Sequence, residues 1–133
     1  MGKKIPLNQK GKHFEVKTPP NYNECHITFS FRLMRKGSKC CLSLCRQIDK
    51  AHVADKLLSL GQMTWKQIHQ VSRKGLGFEM IPVGQLKIAM PSHINEDVKE
   101  VMIFKFSDSG RLAGIRERDI FYVIFVAPNH NLY

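Results

Sequence analysis

Four side chains near the C-terminus are suited to holding a polyanion. Arg111 and Arg116 flank the apolar run Leu112 to Ile115, and His130 and Tyr133 lie just past the apolar and aromatic run Ile120 to Val126. Basic and aromatic groups gathered around a small sheet attract phosphate-rich or carboxylate-rich ligands by charge and offer rings to pack against them. The chain as a whole agrees with that reading. Its 133 residues carry 21 Lys and Arg against 11 Asp and Glu, a formal charge of +10, which points to nucleic acid, the ribosome or an acidic protein as partner.

Such a constellation needs a sheet to carry it, and the last 34 residues supply the pattern. Val101, Ile103, Phe104 and Phe106 form one apolar run that breaks at Ser107-Asp108-Ser109-Gly110, a cluster of turn formers. Leu112 to Ile115 form the next, which breaks at Glu117-Arg118-Asp119. The third, Ile120 to Val126, is nearly continuous, as expected of a strand buried on both faces. These runs predict an antiparallel meander.

Upstream, His26 to Met34 reads as a first strand, rich in Ile, Thr and Phe. Arg35 to Lys39 is a basic turn, and Cys40 to Leu44 fits either a return strand or the lead into a helix. From Arg46 to Leu60 the apolar period becomes helical through Ile48, Ala51, Ala54, Leu57 and Leu58, with Val53 and Leu60 widening the stripe, and Gly61 is placed to stop it. Thr64-Trp65-Lys66-Gln67 is a capping box opening a second helix to about Arg73, with Trp65, Ile68 and Val71 facing inward and Lys74 to Gly77 ending it. Arg46 to Lys74 is then a helical hairpin. Phe78 to Ile81 and Gln85 to Ala89 are short strand candidates, broken by Pro82 and Gly84. The expected fold is therefore α+β: an N-terminal strand, a helical hairpin and an antiparallel β-meander. Residues 1–24 are expected to form a basic, flexible arm, and residues 25–133 a single domain.

Composition excludes several classes. No apolar run approaches the ~20 residues that span a bilayer, and the basic N-terminus has no apolar stretch after it, so a cytoplasmic protein is expected. Cys25, Cys40, Cys41 and Cys45 lack a C-x2-C knuckle and read as small reduced thiols, not as a zinc site. The scattered histidines His13, His26, His52, His69 and His93 suggest no metal site either, and no cofactor is expected.

The segment GRLAGIRERDIFYVIFVAPNHNLY resembles the C-terminal half of RelE/ParE-superfamily toxins: an arginine-bearing strand, a tight turn, a hydrophobic strand, then a short tail with His or Tyr. It is also similar to a bacterial group whose chains end in N-H-x-x-Y, with Ala127 here where that group tends to have an acid. The resemblance implies a RelE-like fold and a toxin that cleaves mRNA on the ribosome without metal, restrained by an acidic antitoxin protein. A ribose 2′-hydroxyl attacks the adjacent phosphate, which requires a proton acceptor, cations for the developing charge and an acid for the leaving oxygen. On that basis Arg111 or Arg116 is the charge stabiliser, His130 the acid or base, and Tyr133 the group that stacks on a base or orients the phosphate. Lys105, Arg118, Arg35 and Lys36 are further candidates for contact with nucleic acid. The chain departs from the pattern in separating His130 from Tyr133 by Asn131 and Leu132, and no carboxylate lies obviously on a sheet face. The alternative is a non-catalytic basic module of the same fold that binds nucleic acid or protein.

Overall fold

Phe121 to Ala127 are buried without exception, and the remaining elements are arranged about that strand. A computed structural model describes residues 20–37, 39–72 and 77–133. Among them the elements follow in the order β1 (Thr28–Ser30), α1 (Gln47–Gly61), α2 (Trp65–Ser72), β2 (Phe78–Pro82), β3 (Glu100–Lys105), β4 (Arg111–Glu117) and β5 (Ile120–Ala127). The sheet runs β1-β5-β4-β3-β2. Neighbours pair antiparallel from β2 to β5, and β1 adds to the far side of β5 in parallel. The architecture is thus α+β with a mixed five-stranded sheet, the meander having one strand more than the three C-terminal runs alone account for.

Both faces of the sheet are covered, so β5 could not alternate. On one face Val53 and Leu60 of α1 and Trp65 and Ile68 of α2 pack with Phe104, Leu112, Phe121 and Val123. On the other, loop residues Ile94, Leu86 and Leu33 and the penultimate Leu132 pack with Val101, Ile103, Ala113 and Phe125. One extra residue, Ile124, enters β5 between the partners of Ala113 and Gly114. The bulge brings the strands so close that a Cβ on Gly114 would lie 1.9 Å from the Tyr122 carbonyl oxygen. Only glycine fits there.

The capping box forms as expected. The Thr64 amide donates to Gln67 Oε1 at 2.9 Å, and the Gln67 amide donates to Thr64 Oγ1 at 3.2 Å. Trp65 and Ile68 are fully buried and Val71 is half-buried.

Several expected boundaries move. The first strand keeps only Thr28 to Ser30, because the chain turns as soon as its pairing with Ile120 to Tyr122 ends. His26 instead bridges to Thr64. Cys40 to Leu44 is neither strand nor helix: a 3-10 turn, Leu42–Leu44, follows Cys40, whose φ is +59°. Gln85 to Ala89 is irregular after a 3-10 turn at Val83–Gln85, while Pro82 lies inside β2, which sits at the sheet edge. On α1 the core takes the arc of Val53, Leu57 and Leu60, leaving Ile48 and Leu58 53% and 66% exposed. Gly61 is the last helical residue and Gln62 the cap. The expected end of α2 at Arg73 to Leu76 lies outside the described residues. Of the expected N-terminal arm, residues 1–19 lie outside them as well, and Tyr22–Glu24 forms a 3-10 turn. Among the described residues no helix is long and apolar enough to cross a membrane.

Candidate functional site

Arg111 and Arg116 stand five residues apart on β4, so their side chains leave opposite faces of the sheet. The bulge does not restore them to one face, because its extra residue falls on β5 and not on β4. The four residues singled out by type therefore separate into three and one.

Arg111, His130 and Tyr133 come together at the start of β4. The Ser107 to Gly110 turn organises this corner. Gly110 donates its amide to Ser107 Oγ at 2.8 Å, and Arg111 Nη1 donates to the carbonyls of Ser107, Asp108 and Gly110 at 3.3, 3.2 and 2.9 Å. The tail is tied to the same turn: Ser109 Oγ donates to the Pro128 carbonyl at 2.6 Å, and the His130 amide donates to the Ser109 carbonyl at 2.9 Å. A left-handed backbone at His130, φ +57°, then reverses the chain. Leu132 drops into the core and its carbonyl accepts from the Lys87 amide at 2.7 Å. That anchor delivers Tyr133 to β2, where its hydroxyl donates to Glu79 Oε1, with Arg111 lining the same small cavity. Burial and the Glu79 carboxylate raise the Tyr133 pKa above its ordinary value, against a smaller opposing pull from Arg111, so the phenol is a neutral donor.

Arg111, His130, Leu132 and Tyr133 line a cavity of about 80 Å³. Pockets that enclose drug-sized molecules measure roughly 300–1,000 Å³, so this one suits a single anionic group held at the surface. Lys105 is exposed and pairs in register with Arg111, which adds a second cation on the same face. Glu79 is the carboxylate that reading by residue type missed. It lies 54 residues from Tyr133, on an edge strand, and only strand pairing brings it near. The alternation of Glu79 with Phe78 and Met80 was the one local signal that it leaves the sheet opposite to the helix-covered side.

Arg116 faces the helices. Its guanidinium carbon lies 4.1 Å from the Trp65 ring centre. Its Nε donates to the Arg118 carbonyl at 2.7 Å, its Nη2 to Asn23 Oδ1 at 2.8 Å, and its Nη1 lies 3.4 Å from His69 Nε2. Trp65 Nε1 in turn donates to the Asp119 carbonyl at 2.9 Å. Arg116 thus joins the N-terminal turn, α2 and the β4–β5 turn. Burial lowers its pKa from the ordinary arginine value, partly offset by Asp119 and Cys25.

The other candidate cations are dispersed. Arg118 is exposed at the β4–β5 turn with φ +59°. Arg35 Nε donates to His93 Nδ1 at 3.0 Å, and exposed Lys36 follows it, both on the connection from β1 to α1. At the end of the sheet away from Arg111, a groove of about 510 Å³ opens where β3 begins and β4 ends, lined among others by Arg32, Tyr122, Lys99, Glu100 and Glu117. The Arg32 guanidinium stacks 5.4 Å from the Tyr122 ring centre. Among the described residues no group of three or more His, Cys, Asp or Glu is placed to hold a metal, and all four cysteines are free thiols. No protein-family model, curated protein or solved structure matches the chain.

Proposed function

We propose that the protein binds single-stranded RNA at the Arg111–Tyr133 corner and cleaves it as a metal-independent endoribonuclease of the RelE-like kind, acting as a toxin that an acidic antitoxin neutralises. The observation that carries the reading is the hydrogen bond from Tyr133 to Glu79 beside Arg111, with Lys105 in register next to Arg111 and His130 lining the same cavity as Arg111 and Tyr133. These are the groups that transesterification at phosphorus requires. The ribose 2′-oxygen attacks the adjacent phosphorus and the P–O5′ bond breaks. Glu79 takes the 2′-hydroxyl proton, Arg111 and Lys105 stabilise the dianionic phosphorane, and the His130 imidazolium gives its proton to the departing 5′-oxygen. The products are a 2′,3′-cyclic phosphate and a 5′-hydroxyl. Tyr133 holds Glu79 at the edge of the cavity that Arg111 lines.

One observation favours the alternative of a non-catalytic module that binds nucleic acid or protein. Arg116, the second candidate charge stabiliser, is engaged with Trp65 and Asn23 on the other face, so the corner has one arginine where the resemblance offers two. Incubation of end-labelled RNA with the purified protein in EDTA, free or on ribosomes, separates the two readings. Cyclic phosphate ends that vanish in Glu79→Gln and His130→Ala support catalysis, as does growth arrest on expression that the same variants relieve. Binding without cleavage in both settings supports the module.

A further inference from the structure

The groove of about 510 Å³ at the far end of β4 is not used by the corner chemistry. About five residues of strand, or roughly 17 Å, separate it from Arg111, within reach of one short nucleic-acid strand. Its wall chemistry is mixed in an informative way. Arg32, Lys99 and Arg116 supply positive charge, and Met80, Met102 and Ile115 are apolar residues of its lining. The Arg32 guanidinium carbon lies over the Tyr122 ring, 5.4 Å from its centre, placing a delocalised cation above an aromatic face. Glu100 and Glu117 line the same groove and are exposed.

A groove built for phosphate alone gains nothing from two carboxylates, which repel it. Carboxylates beside a stacking surface fit a planar group with amino donors, as when Glu or Asp accepts from the exocyclic amine of cytosine. An arginine face stacks on any base. Charge then divides the labour: Arg32 and Lys99 take the stacking and the flanking phosphate, while Glu117 reads the base edge.

We infer that this groove is a nucleobase subsite for single-stranded RNA, selecting a base with an exocyclic amino group by stacking on Arg32 and hydrogen bonding to Glu117, which leaves β4 on the same face as Tyr122 and Arg111. The inference rests on the RNA reading of the Arg111 corner and names what that site's substrate carries next to the bound phosphate. Uracil has no amino group and is the disfavoured base.

The test is fluorescence anisotropy with short 5′-labelled 2′-O-methyl oligonucleotides of C, A or U, which lack the attacking hydroxyl and so report binding alone. Wild-type protein is expected to bind the C or A oligomer about tenfold more tightly than U, and Arg32→Ala to lose about tenfold on the preferred one. Glu117→Gln is expected to narrow the preference over U while circular dichroism stays unchanged. Equal affinity for all three oligomers overturns the subsite. Wild-type affinity in Arg32→Ala, with loss in Arg111→Ala, overturns it while leaving the corner reading intact. Loss in Arg32→Ala with none in Arg111→Ala keeps the subsite and removes the corner. No binding of any oligomer to wild type removes both. Polyglutamate binding that Arg32→Ala abolishes, with RNA binding unchanged, assigns the groove to an acidic polypeptide and overturns the inference.

Discussion

Replacing Arg116 with alanine separates a structural clamp from a substrate ligand. The side chain loses hydrogen bonds of 2.7 Å to the Arg118 carbonyl and 2.8 Å to Asn23 Oδ1, a longer 3.4 Å contact to His69, and the 4.1 Å stack on Trp65. Hydrogen bonds from a charged donor contribute about 1.5–3 kcal/mol each when buried, and an arginine on an aromatic face about 0.5–2 kcal/mol. Arg116 is half-buried, so water replaces part of each bond and the sum falls below the simple total. A net loss of about 2–4 kcal/mol follows, or roughly 10 °C in Tm for a domain of this size. Arg116→Lys keeps the charge but neither the planar stack nor the fork, so it recovers a minor part of the loss. Urea and thermal unfolding followed by circular dichroism measure the stability, and RNA binding is measured on the same preparations below the transition. An Arg116→Ala protein as stable as wild type but unable to bind or cleave RNA refutes the clamp and returns Arg116 to the substrate.

Four further outcomes follow from the same structure. Thr64→Ala breaks one half of the capping box and is expected to cost about 1 kcal/mol in urea unfolding, with little effect on RNA binding. Arg118→Gly relieves the left-handed backbone at φ +59° and is expected to raise stability by about 1 kcal/mol, whereas Arg118→Val lowers it. Gly114→Ala drives a Cβ to 1.9 Å from the Tyr122 carbonyl, so a folded, soluble product with wild-type circular dichroism contradicts the bulge geometry. Because the folded Tyr133 pKa is raised, its contribution to stability is complete below the unfolded value of about 10 and is lost as pH rises through the folded one. Urea midpoints from pH 9 to pH 11.5 should therefore fall less in Tyr133→Phe than in wild type, and parallel curves argue against a phenol held by Glu79.

Local signals reached most of the scaffold. The turn formers at Ser107 to Gly110, the period of Trp65, Ile68 and Val71, and the unbroken apolar run of β5 each encode their element within a few residues, because propensity, capping and burial act over that range. The buried face of α1 differs from the expected stripe for a reason that is not local. The helix carries two apolar arcs, and only packing against α2 and the sheet selects Val53 and Leu60 over Ile48 and Leu58. The division of Arg111 from Arg116 was legible in their odd spacing on one strand, a matter of strand parity rather than residue type.

What the chain determined by itself was the helical hairpin, the strands of the C-terminal meander, its basic charge and a candidate set of Arg111, Arg116, His130 and Tyr133, which the fold then divided. Tertiary structure alone decided the rest. Glu79 meets Tyr133 across 54 residues because Leu132 anchors the tail in the core, and Arg116 meets Asn23 across 93 because α2 and the N-terminal turn close over the sheet. Such contacts depend on register and chain reversal, which no local spacing records, and they determine which basic residue faces a ligand and which holds the fold.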